Sequence, residues 1–412
     1  MKSISSFRNA TPAQLTAALL DARNYTLTLF ERLAAAGMDD PARVPYLKII
    51  NPPLWELGHL AWFAEWFTLR EAQPGLPAVT RYPSLLHDAD AYFDSGTVAH
   101  ATRWQLNLPP LKIIKTFAEN VLDRILENLA RADNSDETLY PFRLVLAHED
   151  MHGEACYYTL QTLGIAPPNV LMDAYASSFA DHPSAISPAP EIAYAGGEMY
   201  LGSQPNNGFV FDNEKWAHRV NIAPFCMDAA LVTNQQYAEF IVAGGYQQHN
   251  FWSTAGAAWL SQSSRSAPRY WKHHEGKWQT QNFDKWVALS PNQAVRHINL
   301  FEAQAYCTWA GRRLPTEAEW ECAAKLNHAH SSLKTLQWGE LWEWTQSPFA
   351  PYPEFSADIY QNYSSPWFDT HQVLRGASFA TQTRMRSATY RNFFTPERDD
   401  IFSGFRTCAI ES

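Results

Sequence analysis

The sequence predicts a multidomain chain that mixes fold classes, a helical bundle followed by an α+β domain rich in loops. Long segments with apolar residues at helical spacing are concentrated in the first 165 residues. A stretch rich in Ala, Pro and Ser covers 166–190 and is typical of a linker. Beyond it, Gly, Asn, Trp and Pro interrupt short apolar pieces, as in short strands. We therefore expect a bundle at 1–165, a linker at 166–190 and a second domain at 191–412, each with its own core.

Four helices account for the predicted bundle. The first begins at an N-cap, Thr11, followed by Pro12 at the first helical position. The last ends at Gly164, a residue suited to the left-handed C-cap. Four helices joined by connections of varied length indicate an antiparallel arrangement. The predicted ranges are 11–36, 53–70, 111–130 and 141–164.

The second half predicts few long elements. Only two segments are convincing helices there, 233–243 and 300–310, and the remaining apolar pieces have the length of strands. No internal repeat, low-complexity tract or heptad pattern is evident. The expected class of this half is α+β.

Composition excludes several classes of partner. The chain carries 32 Lys and Arg against 42 Asp and Glu, a net charge of -10, which argues against a nucleic-acid or anionic-membrane partner. Its five cysteines are scattered and lack C-x-x-C spacing, which fits a reducing compartment. No apolar leader and no long apolar run is present. We expect a cytoplasmic protein whose oligomeric state the sequence leaves open.

The segment His148-Glu-Asp-Met-His152-Gly-Glu154 predicts a metal centre. Its two histidines lie one helical turn apart on the same face, so both imidazoles can reach one ion. The spacing is weak evidence alone, because paired histidines are more often surface or core residues. His59, in the apolar second helix, is a buried imidazole that needs a partner and is the candidate third ligand. Glu154 is placed to orient a ligand histidine through a hydrogen bond.

The residues alone leave the metal open. Three histidines without a carboxylate carry no ligand charge and leave up to three positions of an octahedral ion for substrate and dioxygen. Zinc with a bound water is the alternative, and the spacing does not exclude it.

Ordered motifs along nearly the whole chain resemble one family. They include LGHLAWFAEWF, AHEDMHGEA, AYCTWAGRRLPTEAEWE, ELWEWTQSPFAPYP, VLRGASFAT and ATYRNFFTPE. The chain thereby resembles the ergothioneine-type sulfoxide synthases, non-haem iron(II) enzymes. These combine an N-terminal DinB-like four-helix bundle with a C-terminal domain of the formylglycine-generating-enzyme, C-type-lectin-like fold. The resemblance implies Fe(II) ligands at His59, His148 and His152. It also implies a reaction with dioxygen that joins a sulfur donor to the imidazole C2 of hercynine, the trimethylated betaine of histidine.

Two departures from the family pattern point to a branch of it. Members usually show K-W-H-L-A-H before the first ligand, whereas this chain has L-W-E-L-G-H at 54–59. Asp400 stands where a tryptophan is expected, and the run at 397–406 looks more like the selenoneine synthase branch, which uses a selenosugar. We therefore predict a selenoneine synthase. The alternative is a sulfoxide synthase using γ-glutamyl-cysteine or cysteine, and a DinB-like zinc hydrolase, thiol transferase or binding module is more remote.

The resemblance also assigns roles to further residues. Tyr363 falls at the position of an active-site tyrosine that donates a proton. The trimethylammonium group of hercynine needs aromatic faces, and the local candidates are Trp342, Trp344, Tyr390, Phe393 and Phe394. The donor is expected to meet Arg103, Asp399, Asp400 and Arg406, since carboxylates accept hydrogen bonds from sugar hydroxyls. Alternatively, the two aspartates are solvated or paired with Arg398 and Arg406.

Overall fold

A computed structural model describes residues 6–70, 80–169, 190–206, 208–329 and 336–410, which form two compact units. The first unit contains the described residues up to 169 together with Gly208, Phe209 and Thr381–Met385. The second contains the other described residues from 190 onward. Two short segments of the range 191–412 thus belong to the first unit, which the sequence did not predict. Most of the predicted linker, 170–189, lies outside the described residues.

Four long helices and one short helix build the first unit. Helix α1 packs against α5, and α2 packs against α3, α4 and α5, which gives a helical bundle. Among the described residues, none of these helices combines the length and apolar character needed to cross a membrane. The helices are α1 (Pro12–Ala35), α2 (Pro53–Thr68), α3 (Ala89–Phe93), α4 (Leu111–Leu129) and α5 (Asp136–Leu163).

Helix termini follow local capping chemistry. Thr11 and the third helical residue, Gln14, form a reciprocal capping box at the start of α1. Helix α5 begins at Asp136, so the predicted start at Pro141 is wrong. The hydroxyl of Ser135 accepts a hydrogen bond from the Thr138 backbone N–H, and this cap starts the helix five residues earlier.

Helix α2 lies inside the first unit. Every residue from Pro53 to Glu65 is buried, as expected for a helix that is apolar around its whole circumference. Gly58 allows the close approach of α3, because a Cβ there would lie 2.2 Å from Cε1 of the Phe93 ring. The departure from Ala to Gly in the L-G-H motif is therefore a packing requirement of this chain.

The second unit holds the strands. Two four-stranded sheets have the orders β1–β4–β13–β8 and β11–β10–β9–β12, and β2–β3 and β5–β6–β7 form smaller antiparallel sheets. The strands are β1 (Glu191–Tyr194), β2 (Gly197–Leu201), β3 (His218–Ile222), β4 (Phe225–Asp228), β5 (Trp271–His274), β6 (Lys277–Asn282), β7 (Lys285–Ala288), β8 (Arg312–Arg313), β9 (Trp342–Pro348), β10 (Gln372–Gly376), β11 (Asn392–Phe394), β12 (Ser403–Gly404) and β13 (Cys408–Ala409).

Among the described residues of the second unit, four helices accompany these sheets, two more than the sequence predicted. They are α6 (Asn234–Val242), α7 (Thr254–Ser263), α8 (Leu300–Ala310) and α9 (Glu317–Ala329). Helices α6 and α8 correspond to the predicted ranges, and α7 and α9 were missed. A capping box precedes α9, since Thr316 and Glu319 exchange hydrogen bonds between their side chains and backbone N–H groups. That pattern, T-E-A-E, was available in the sequence.

Buried ion pairs stabilise the core of the second unit. Arg406 donates from Nε and Nη2 to both carboxylate oxygens of Glu343, and neither side chain is exposed to solvent. Arg375 forms an ion pair with Glu321, and both of these side chains are also completely buried. Removing one partner of such a pair leaves an uncompensated buried charge, so these residues act together.

Replacing Gly58 with Ala tests the packing of α2 against α3. In a helix interior, alanine is more favourable than glycine by about 1 kcal/mol. The added methyl group collides with Phe93, however, and overpacking of this kind costs about 1–3 kcal/mol. We expect G58A to be less stable than the wild type in urea unfolding. An increase in the free energy of unfolding would contradict the described contact.

Replacing Glu302 with Gln tests the pH dependence of the second unit. Burial, assisted by the negative charge of Asp399, raises the pKa of Glu302 from 4.5 to about 8. The folded protein therefore holds this proton more tightly than the unfolded chain, and the resulting stability is lost as the pH rises through about 8. Glutamine keeps the capping box with Asn299 and does not titrate.

As the pH increases from about 4.5 to 8, the wild type should lose stability that E302Q keeps. We therefore expect the urea midpoint of E302Q, measured relative to that of the wild type, to increase with pH over this range. Tryptophan fluorescence at a series of pH values measures this difference. Parallel pH profiles for the two proteins would show that Glu302 contributes nothing to the pH dependence.

Candidate metal centre

Three histidines from two helices converge inside the first unit. His59 lies on α2, and His148 and His152 lie one turn apart on α5. One ring nitrogen from each lies within 4.8 Å of the others, and the ring centroids are 4.4 to 5.2 Å apart. Within the part of the chain that the structure describes, this is the one group of three or more potential ligands of this kind. The structure thus brings together the three residues that the sequence selected.

Hydrogen bonds orient two of these rings. Nδ1 of His59 lies 2.8 Å from the backbone oxygen of Phe93, and Nδ1 of His152 lies 2.7 Å from Oε1 of Glu56. Since both partners are acceptors, each Nδ1 carries the proton and donates it. Each Nε2 is then left with a lone pair available for a metal ion.

Two of the imidazoles, those of His59 and His148, are held in the neutral form that binds metals. Burial, together with the neighbouring imidazole of His152, lowers the pKa of His59 to about 3. Burial likewise brings the pKa of His148 well below its ordinary value. Aromatic rings fix the planes, because His148 stacks on Phe63 at 3.5 Å between centroids and His59 stacks on Trp55 at 4.9 Å.

Glu56 is a carboxylate that hydrogen-bonds to a histidine of the cluster, a partner that the sequence analysis missed. Glu154 accepts a hydrogen bond from the hydroxyl of Thr381 at 2.7 Å. Glu56 is 4% exposed and stands three residues before His59, an E-x-x-H spacing. Such pairs on one helix face are a known way to build metal sites in bundles, so the sequence carried the signal. The orienting role expected of Glu154 stays a prediction.

The acidic residues between the two α5 histidines are also paired. Glu149 accepts hydrogen bonds from Arg23 at 2.6 and 3.2 Å. Asp150 accepts two from Arg384 at 2.6 and 2.7 Å. These carboxylates are buried and engaged with guanidinium groups, so they serve to fix the helix.

Arg103 lies one aromatic ring away from the cluster. Its guanidinium carbon is 3.9 Å from the centroid of the Trp55 ring. The ring of His59 also stacks on Trp55. Nη1 donates to Oδ1 of Asn51 at 2.6 Å, which fixes the guanidinium plane. The arrangement keeps a positive charge near the histidines, where it could meet an anionic group of a substrate.

The predicted aromatic residues differ in their surroundings within the second unit. Trp344 is fully buried, and its indole N–H donates to the Ile298 oxygen at 2.6 Å, so it is a core residue. The guanidinium of Arg398 lies 4.8 Å from the centroid of Phe394 and occupies a face of that ring. Trp342 and Tyr390 lie 5.5 Å apart, and Phe393 stacks on Phe349 at 4.1 Å.

Tyr363 lies between two aromatic rings, one of which belongs to the predicted set. Its ring stacks on Phe211 at 4.8 Å, and the ring of Phe393 meets it edge-on at 5.8 Å. Burial raises the pKa of Tyr363 well above its ordinary value, and a hydrogen bond with Tyr390 raises it further. Tyr363 is therefore a neutral phenol, the form that can donate a proton.

The residues predicted to face the donor are engaged in ion pairs. Asp399 accepts hydrogen bonds from Arg269 at 2.8 Å and Arg265 at 3.0 Å. Asp400 accepts two from Arg398 at 2.7 and 2.8 Å. Arg406 is committed to Glu343. The alternative of paired aspartates therefore describes the structure, although Arg406 is not their partner, and the expectation of carboxylates open to sugar hydroxyls is corrected.

Comparisons with known proteins agree with this architecture. Residues 178–335 and 335–410 match the family described as "Sulfatase-modifying factor enzyme 1-like domain". The hercynine oxygenase of Mycolicibacterium thermoresistibile is 30% identical over 96% of this chain and 94% of its own length. The hercynine oxygenase of Mycolicibacterium smegmatis is 29% identical over 88% of this chain and 91% of its own. The formylglycine-generating enzyme of Thermomonospora curvata is 34% identical over 32% of this chain and 48% of its own.

These similarities define an oxygen-using enzyme with a sulfatase-modifying-factor-like domain. More narrowly, the chain belongs to the hercynine oxygenase family, the ergothioneine-type enzymes that its motifs resemble.

Replacing Glu56 with Gln tests its hold on His152. Loss of a carboxylate that hydrogen-bonds a ligand histidine typically lowers metal affinity by about 10- to 100-fold. We expect this loss in E56Q, measured by competition with a chelator. Glu65 is a matched control on the same buried helix, because it accepts hydrogen bonds from Ser84 and from the Leu85 backbone N–H. Equal affinities in E56Q and E65Q would contradict the role given to Glu56.

Proposed function

We propose that this enzyme uses Fe(II) and dioxygen to form a bond between a chalcogen donor and the imidazole C2 of hercynine. His59, His148 and His152 would hold the iron in a bundle of the DinB-like type. The observation that carries the proposal is this cluster of converging histidines in a chain 30% identical to a hercynine oxygenase over nearly its whole length. A ligand set without carboxylates leaves positions for the donor and dioxygen.

The overall reaction balances with dioxygen as the oxidant. The C2–H bond of the imidazole and the chalcogen–H bond of the donor break, and a carbon–chalcogen bond forms. That coupling and oxidation of the chalcogen to its oxide each supply two electrons. Dioxygen accepts all four, one oxygen atom remains on the chalcogen, and the other leaves as water. When bound, iron would supply the redox chemistry and the site at which the donor is held.

Residues of the chain then orient and protonate. Glu56 and the Phe93 oxygen fix two imidazoles with Nε2 available. Tyr363 is assigned as the proton donor to the oxygen-derived species, because burial keeps its phenol protonated. The trimethylammonium group of hercynine lacks a hydrogen-bond donor and is best met by aromatic faces. We assign this contact to Trp342, Tyr390 and Phe393 and remove Trp344, which is buried in the core.

The proposed donor is a selenosugar, which makes the enzyme a selenoneine synthase. Two departures support this choice: Glu56 in place of the usual histidine, and the run at 397–406 that resembles the selenium branch. Asp399 and Asp400 do not add support for a sugar donor, because both carboxylates form ion pairs with arginines. Arg103 favours the second candidate, γ-glutamyl-cysteine or cysteine, since its guanidinium suits a donor carboxylate.

A competition assay decides between the donors. Protein loaded with Fe(II) receives hercynine, a selenosugar and γ-glutamyl-cysteine at equal concentrations in air-saturated buffer. We expect oxygen uptake and a selenium adduct of hercynine as the main product, identified by mass. A dominant sulfur adduct would instead establish the sulfoxide synthase, and H148A, which lacks one ligand, should form neither.

Two further arms exclude the remoter functions. Protein loaded with zinc should consume no oxygen, because zinc has no redox chemistry. A binding module would retain hercynine in both the wild type and H148A without consuming oxygen. If the Fe(II)-loaded wild type forms no adduct with any of these donors, the proposed function is wrong.

A further inference from the structure

A buried turn at 211–214 contacts the loop that carries Tyr363, and one hydroxyl joins them. Ser364, which follows Tyr363, has no solvent exposure. Its Oγ donates to Oδ1 of Asp212 at 2.5 Å and accepts from Nδ2 of Asn213 at 3.1 Å. Asp212 and Asn213 are themselves only 2% and 1% exposed. Two adjacent residues of the turn thus bind the same side chain beside the proposed proton donor.

The same turn also contacts the aromatic neighbours of Tyr363. Phe211 stacks on Tyr363 at 4.8 Å and meets Tyr390 edge-on at 5.4 Å. The backbone oxygen of Asn213 accepts a hydrogen bond from Arg391 at 2.7 Å, which ties down the residue next to Tyr390. Tyr363 and Tyr390, which hydrogen-bond to each other, therefore both contact this turn.

Local structure alone does not hold Tyr363 in place. Residues 349–364 contain no helix or strand, and the backbone N–H of Tyr363 makes only a turn hydrogen bond to Tyr360. A proton donor must nevertheless be held to within about 0.5 Å of its productive position. The turn at 211–214, distant in sequence, supplies part of this constraint through the ring of Phe211 and through its hydrogen bonds to the Ser364 hydroxyl.

We propose that Asp212, Asn213 and Ser364 are positioning residues that hold the Tyr363 phenol in its orientation for proton transfer. The inference rests on the role given to Tyr363 under the proposed function. None of the three is assigned a contact with hercynine or the donor. They act through Tyr363. Replacing one of them should therefore lower kcat in the same way as removing the Tyr363 hydroxyl, but to a smaller extent.

Replacing Ser364 with Ala removes the shared hydroxyl. We expect kcat to fall about tenfold with little change in the KM for hercynine, because orientation rather than binding is lost. Ser365 is the matched control, since its hydroxyl donates at 3.3 Å to the Gln361 oxygen in an exposed position. A 3-fluorotyrosine at position 363 should change its ¹⁹F chemical shift in S364A and keep it in S365A. D212N, which removes the charged acceptor, provides the same comparison if S364A does not fold.

A double-mutant cycle with Y363F distinguishes positioning from a separate effect. If Ser364 acts through the phenol, S364A causes no further loss of kcat in the Y363F background. If the losses of kcat caused by S364A and Y363F multiply in the double variant, the positioning role is wrong. It is also wrong if the ¹⁹F chemical shift is unchanged in S364A and D212N. Failure of the wild type to form any adduct would reject the proposed function. In that case the ¹⁹F comparison still reports whether Ser364 holds the ring.

Discussion

The burial of a highly polar segment inside an apolar bundle is the constraint on which the candidate metal centre depends. His148, Glu149, Asp150 and Glu154 are all at most 9% exposed. Leaving one buried charge without a partner costs about 3–5 kcal/mol, a large part of the stability of a domain. Arg23 supplies a partner for Glu149, while Arg384 and Thr381 supply partners for Asp150 and Glu154, which lie one turn apart on another part of the α5 surface. The histidines are held in place by a helix that cannot rotate without breaking these contacts.

One of those partners comes from far along the chain. Arg384 and Asp150 are 234 residues apart in sequence, yet their bidentate contact belongs to the first unit. A second donation from Arg384, to Asp21 at 2.6 Å, links α1 to the same guanidinium. A fragment ending at residue 165 would therefore leave Asp150 buried and without its arginine. The helices make up most of the first unit, but its buried charges are balanced only when the segment Thr381–Met385 is present.

The contrast between prediction and structure follows from the range of the interactions. Helical periodicity and capping residues are local, so α1, α2, α4 and α8 could be placed from sequence, and one-turn spacing selected His148 and His152. The partner of a buried carboxylate is set by tertiary packing. Spacing therefore could not show that Glu154 meets Thr381 while Glu56 meets His152. For the same reason, the sequence could not predict that Asp399 pairs with Arg265 and Arg269, which lie more than 100 residues earlier.

The charge of the candidate centre links the Glu56 departure to the choice of donor. Three neutral imidazoles would not compensate a divalent ion in an apolar bundle, so negative charge on nearby groups would stabilise it. Glu56 supplies one such charge through His152, where members of the family usually carry a histidine. With a metal ion bound, a centre less positive by one charge would acidify a donor less strongly. Selenols are stronger acids than thiols and need less acidification to bind as anions, so Glu56 would be compatible with the selenium donor proposed above.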